Sequence, residues 1–244
     1  MLKKFLHALL NWFLPRACCV CNRCANVETS VAGKAELLDL CQKCLLQISF
    51  AKNRCFQCGK RLDQSGRENI RCEHCQDFNM VIYQTIVACD YKKALRKLIN
   101  GLKFGDRKYI AKILAFLLAK KLAQETIDLP EVIIPMPVHK RKLRLRGYNP
   151  SLEIAQYLGH YLGIPVINDL CTRVKDTKEH RGLSRKQRRL NMAAAFAITE
   201  EINNYQHVVI IDDLIVSGAS VRSLANELSK SNLERVDVWC LCRV

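Results

Sequence analysis

Ten of the chain's 14 cysteines fall before residue 76, and eight of those ten form pairs with two residues between them. Cys41/Cys44, Cys55/Cys58 and Cys72/Cys75 are unambiguous, whereas "CCVCNRC" offers either Cys18/Cys21 or Cys21/Cys24 as the first pair. A turn closed by such a pair puts both sulfurs on one side, where a tetrahedral metal takes both thiolates, and two pairs complete a site. "CFQCGK" to "CEHC" leaves 13 residues between pairs, the spacing of a zinc ribbon, and Gly59 suits a tight knuckle. Structural zinc is therefore expected at Cys55, Cys58, Cys72 and Cys75, with a second site at Cys18, Cys21, Cys41 and Cys44. Disulfides are the competing use of these residues. They need an oxidising compartment, and no convincing export signal is present. Redox chemistry is the weaker alternative, because none of the pairs opens a helix after a strand. His74, inside "CEHC", is an alternative ligand to a cysteine but is expected on the surface, and Cys89, Cys171, Cys240 and Cys242 are expected as core thiols.

The opening "MLKKFLHALLNWFLPRACC" has the lysines and apolar stretch of a signal peptide, but His7 and Asn11 interrupt it and no small-residue cleavage site follows. It reads as a short amphipathic helix ending before Pro15. "AKILAFLLAKKLA" carries Lys112, Lys120 and Lys121, so it reads as an amphipathic helix of a soluble domain rather than a membrane span. A cytoplasmic protein is expected, with peripheral contact at the inner face of the cytoplasmic membrane left open.

The chain changes character near residue 81, which suggests a cysteine-rich unit over 1–80 and a larger domain over 81–244. At 244 residues and 49% hydrophobic content it can bury a full core. "KKALRKLINGLKF" and "RKYIAKILAFLLAKKLAQ" have helical apolar spacing; "EVIIPMP" is a buried strand stopped by prolines. A basic loop, "VHKRKLRLRGYNP", leads into the helix "SLEIAQYLGHYLG", a short strand over 165–168 and a long basic stretch over 171–191. "VVII" at 208–211, a helix from about Ala219 to Lys230 and the strand "RVDVWCLCRV" follow. Alternating strands and helices predict an α/β fold, a mostly parallel sheet with helices on both faces, preceded by a small zinc ribbon. Ligands of such sheets bind beyond the carboxyl ends of the strands, where 136–149, 172–191 and 212–220 are expected to lie.

Asp212 and Asp213 should sit at the open end of the "VVII" strand, since two carboxylates inside an apolar run would be costly. The chain lacks the G-x-x-x-x-G-K-[ST] loop of a nucleoside triphosphatase and the G-x-G-x-x-G of a dinucleotide fold. Ser217, Gly218, Ala219 and Ser220 run straight into a helix, so their backbone N–H groups can point at one phosphate. The two acids then lie where sugar hydroxyls or a magnesium ion would sit. A plain capped helix with two solvated acids is the blander alternative.

"VVIIDDLIVSGAS" resembles the phosphoribosyl pyrophosphate loop of type I phosphoribosyltransferases. "RGYNPSLEIAQYLG" and "HRGLSRKQRRLNMAAAF", together with the cysteine pairs, resemble the ComF family of bacterial competence proteins (ComFC, also GntX-like) over essentially the whole chain. The resemblance implies that Asp212 and Asp213 hold the ribose hydroxyls of phosphoribosyl pyrophosphate while Ser217, Gly218, Ala219 and Ser220 cradle its 5-phosphate. It places the prolines of "PMPVHKRK" at the pyrophosphate end, with Arg144, Arg146, Gly147 and Asn149 in the family's R-x-R-G-x-N signature and Arg188 and Asn191 in its third motif. The sequence departs from that pattern at Val216, where threonine is usual, at Pro150, where glutamine is common, and in "KEHRGL". One lost hydroxyl removes a hydrogen bond of about 1 kcal/mol, which binding can survive.

The formal charge of +16 implies an anionic partner. Residues 137–190 hold thirteen Lys or Arg against four Asp or Glu, more than a small diphosphate needs. Lys140, Arg141, Lys142, Arg144, Arg146 and Arg188 are thus candidates for either the pyrophosphate or a DNA phosphate backbone. The family resemblance implies single-stranded DNA handling in natural transformation, beside a competence helicase or the membrane uptake machinery. The alternative is an active phosphoribosyltransferase, using magnesium, that acts on a nucleobase or other acceptor. Its general base is not evident: His139 and His180 are candidates in basic segments, where a histidine is more often solvated.

Overall fold

The computed structural model describes residues 16–25, 27–31, 33–63, 70–77, 81–175 and 195–244. The N-terminal helix expected before Pro15, and Arg188, Asn191 and His180, lie outside the described residues.

The cysteine-rich segment contributes an antiparallel hairpin, β1 (Val27–Val31) and β2 (Lys34–Leu38), and two single-turn helices, α1 (Gln42–Leu46) and α2 (Glu73–Asp77). After it come β3 (Thr85–Val87), α3 (Lys93–Phe104), α4 (Ile110–Leu122), β4 (Val132–Pro135), α5 (Lys140–Arg146) and α6 (Pro150–Leu162). The chain continues through β5 (Cys171–Arg173), β6 (Phe196–Ile198), β7 (His207–Ile215), α7 (Ala219–Leu228) and β8 (Arg235–Arg243).

Four strands form an all-parallel sheet in the order β3-β8-β7-β4, while β5 and β6 pair antiparallel beside it. The expected strand at 165–168 is reduced to a single parallel bridge, Val166 to Ile133. Side chains alternate across a strand, so the β-branched run of β7 serves two cores at once. Val209 and Ile211, with Ile133, Trp239 and Leu241, pack against α3, α4 and α6. Val208 and Ile210, with Val132, Ile134 and Val238, pack against α7 and the β5–β6 pair. Helices therefore cover both faces, as the alternation of elements predicts.

Helix α4 departs from the amphipathic expectation, with ten of its thirteen residues buried. Its outer side is covered by the cysteine-rich segment: Cys18, Leu38, Leu40, Cys44 and Ile48 share one apolar cluster with it. Lys112, one of the three lysines behind that expectation, is neutralised by Glu36 of β2 at 2.5 Å. No described helix is long and apolar enough to cross a membrane.

Candidate functional site

Strand β4 stops at Pro135, opposite Ile211, whereas β7 continues to Ile215 paired only with β8. Asp212 and Asp213 fall where β4 has ended, inside the strand rather than beyond it. Asp213 is only 4% exposed, so it is not a solvated acid. What makes its burial tolerable is Lys103 in the last turn of α3, whose ammonium lies 2.9 Å from Asp213 Oδ2. The contact is ionic without the alignment of a hydrogen bond, so that buried oxygen keeps unused acceptor capacity. Asp212 Oδ1 accepts from the Asp213 N–H at 3.0 Å and from Ser151 Oγ at 3.4 Å. Burial raises the Asp212 carboxyl to about 8; the Asp213 charge adds to the rise and Lys103 opposes it.

Past the acids, Val216 and Ser217 are exposed and Gly218 takes a left-handed conformation, φ +72°, at the head of α7. Only glycine fits easily there: a Cβ would also lie 2.8 Å from the Arg222 guanidinium. Ser217 Oγ accepts the Ala219 N–H, and Arg222 donates to the Ser217 carbonyl at 3.0 Å, so the loop is held open over the helix N-terminus. A cleft beside it is lined by Cys58, Thr85, Ile215, Gly218, Arg222 and Arg243.

The segment expected as a basic loop is a seven-residue helix, α5, with Lys140, Arg141, Lys142, Arg144 and Arg146 on it and no buried side chain. His139 Nδ1 accepts the Arg141 N–H and caps this helix, which accounts for it without proton transfer. Gly147, φ +78°, ends the helix, and Asn149 caps the next one by accepting the Ser151 N–H at 3.0 Å. The Asn149 amide also donates to the Met136 carbonyl at the end of β4, and the Tyr148 hydroxyl donates to the Leu102 carbonyl of α3. Cations of α5 and acids of β7 are thus set at the same end of the sheet through Asn149 and Ser151.

The eight paired cysteines gather as Cys18, Cys21, Cys41 and Cys44, and as Cys55, Cys58, Cys72 and Cys75, with the ligand atoms of each group within 4.8 Å of one another. Cys21 and Cys41 sulfurs are 3.7 Å apart, and those of Cys58 and Cys72 are 3.8 Å apart. A tetrahedron with zinc–sulfur bonds of about 2.3 Å has edges of about 3.8 Å, whereas a disulfide needs about 2.05 Å. Both groups fit zinc, all the cysteines are free thiols, and the first pair is Cys18/Cys21 with Cys24 left outside. The Cys55 thiol is held down at about 4, chiefly by its hydrogen bond with Cys58, and the Cys72 N–H also reaches its sulfur at 3.3 Å. His74 is exposed.

Lys103, Ser151, Arg222 and Arg243 escaped the sequence reading. Of these, only Ser151 had a local signal, as the second residue after the Asn149 cap.

No protein-family model matches the sequence. The chain is 34% identical over 211 residues to competence protein F of Haemophilus influenzae, covering 84% of this chain and 90% of that protein. The chain belongs to the competence protein F family. Within it, DNA utilization protein YhgH of Escherichia coli K12 is 30% identical over 208 residues, again 84% of this chain and 90% of the relative. The YhgH protein of Salmonella typhi matches to the same extent. Among solved structures, the glutamine phosphoribosylpyrophosphate amidotransferase of B. subtilis, complexed with ADP and GMP, aligns with 59% of this chain and 30% of that one. Its TM-score is 0.37 and its identity 17%, too loose a likeness to carry an argument.

Proposed function

We propose that the protein supports uptake or processing of single-stranded DNA in natural transformation and keeps a pocket for phosphoribosyl pyrophosphate. Membership beside competence protein F and the YhgH proteins supports the first part. The observation that carries the second is the pair of acids, Asp213 buried and Asp212 half-buried, separated by four residues from a glycine-headed helix N-terminus at the open end of β7. In this reading Asp212 and Asp213 face the ribose hydroxyls, and Ser217, Gly218, Ala219 and Ser220 take the 5-phosphate. Magnesium accompanies the diphosphate, which Lys140, Arg141, Lys142, Arg144 and Arg146 face from α5. The cations beyond that need suit a DNA backbone. Residues 1–80 form a zinc-bearing unit on the larger one over 81–244, and the protein works in the cytoplasm, with the inner face of the cytoplasmic membrane and a competence helicase or the uptake machinery as the contacts to test.

The test is calorimetric titration of phosphoribosyl pyrophosphate with magnesium into the zinc-loaded chain and into an Asp212→Asn, Asp213→Asn variant. Binding by the parent and its loss in the folded variant is the expected result; equal affinity would remove the pocket from this proposal. Pyrophosphate release that depends on an added nucleobase or other acceptor would mark an active phosphoribosyltransferase, whereas release without one would be hydrolysis.

A further inference from the structure

The connection between α3 and α4 turns two aromatic rings toward solvent. Phe104, in the last turn of α3, is 78% exposed, and Tyr109, at the head of α4, is 47% exposed. Phe104 is not an isolated surface residue: the Arg146 guanidinium of α5 lies over its ring, 5.6 Å from the centroid. Lys108 of the same connection lies 4.8 Å from the centroid of the Tyr148 ring, so the 103–109 and 140–148 segments meet. Residues 103–109 and 140–146 together carry eight Lys or Arg against one acid, Asp106; Lys103 and Lys108 are paired with Asp213 and Glu153, and the other six supply the surface charge. The connection is also fixed in shape. A Cβ on Gly101 would lie 2.7 Å from Ile110 Cδ1, one on Gly105 would lie 2.9 Å from the Gly101 carbonyl, and Asp106 is held at φ +49°.

We propose that Phe104, with Arg146 against its ring, is a stacking platform for a base of single-stranded DNA. The proposal rests on the DNA-handling reading above but concerns the ring rather than the charge. Cations alone attract any polyanion, whereas a ring beside a cationic track matches the alternation of planar base and phosphate in a single strand. A duplex hides its base faces and gains nothing from the ring. A lipid surface suits the site less well, because Leu143 and Leu145 of α5 are two residues apart. They therefore point to different sides of a seven-residue helix and share no apolar face. The close-packed connection sets the backbone that carries the ring, so the ordering cost of binding is reduced to that of the side chain.

The test uses the full zinc-loaded chain, a fluorescent oligothymidylate and an abasic strand of equal length, read by anisotropy over a salt series. Phe104→Ala is expected to weaken oligothymidylate binding about tenfold while leaving abasic binding and the salt slope unchanged. Phe104→Trp is expected to retain affinity, with its emission quenched by oligothymidylate and not by the abasic strand. The ring's exposure makes an unchanged melting temperature the expected control in both variants. If Phe104→Ala binds oligothymidylate like the parent, or loses both strands equally, the platform is refuted while the DNA reading stands on its cations. If the parent binds neither strand, the DNA reading fails and the platform with it.

Discussion

The two four-cysteine groups use the same paired motif but are anchored by different forces. Cys18 and Cys44 belong to the large apolar cluster that includes α3, α4, α6 and one face of the sheet. Burial holds that group in place, with Lys112–Glu36 and the Lys97 contact to the Val20 carbonyl at its edge. Cys55, Cys58 and Cys75 form a small cluster of their own, and their attachment to the sheet is mostly polar. Thr85 donates from N–H and hydroxyl to the Phe56 and Gln57 carbonyls, the Gln57 amide donates to the Ile82 carbonyl, and Arg243 donates to the Cys58 carbonyl. Arg54 adds an ion pair with Asp90 at 2.7 Å and a bond to the Arg243 carbonyl. Apolar burial is non-directional, whereas hydrogen bonds fix orientation. The first group therefore adds to the stability of the whole fold, and the second sets the wall beside Gly218.

The contrast can be broken by exchanging one ligand at a time. Cys44→Ser, at a site continuous with the main core, is expected to cost about 3 kcal/mol or more and to lower the melting temperature by about 10 °C. Calorimetry with metal counted by native mass spectrometry reads both, and retention of two zinc ions would refute it. Cys58→Ser should also lose one ion but cost about half as much, while weakening phosphoribosyl pyrophosphate about tenfold as the loosened knuckle shifts the Cys58 carbonyl that holds Arg243. A larger melting shift than that of Cys44→Ser would overturn the division of roles. Gly59→Ala sharpens the picture without touching a ligand. At φ +69° its Cβ would lie 2.7 Å from Val87 Cγ2, so the knuckle must lift by a few tenths of an ångström, at about 2 kcal/mol with both ions kept. Gly33→Ala, at φ +75° in the first group's hairpin but in open space, should cost about 1 kcal/mol; equal costs in chemical denaturation would mean that the close approach is unimportant.

The parallel sheet with two covered faces was legible because Val208–Ile211 and Val132–Ile134 are uninterrupted apolar runs and the helices between them keep their spacing. The cysteine groups were legible from spacing alone, apart from the choice among Cys18, Cys21 and Cys24, which only the fold around Cys41 decides. Helix α5 was not, because "KRKLRLR" has good helix formers but no apolar face, so its periodicity is silent. Burial of Asp213 was hidden for another reason. Its counter-ion, Lys103, lies far away in sequence on a helix that reads as amphipathic, and nothing local distinguishes it from its solvated neighbours. Arg243 and Cys58 likewise meet only because β8 ends beside the second knuckle.

The order β3-β8-β7-β4 also has a consequence for the timing of folding. Within the sheet β3 touches only β8, and Thr85 finds its partner Val238 another 153 positions along the chain. At roughly 5–20 residues per second a ribosome takes about 8–30 s to cover that distance. Throughout that interval β3 is an unpaired edge, and the second knuckle, which leans on Thr85 and Arg243, has only half its seat. The eight paired thiols are all made before the strand that fixes half of them arrives, so metal captured early by those four cysteines would close the second knuckle before its seat on β8 exists.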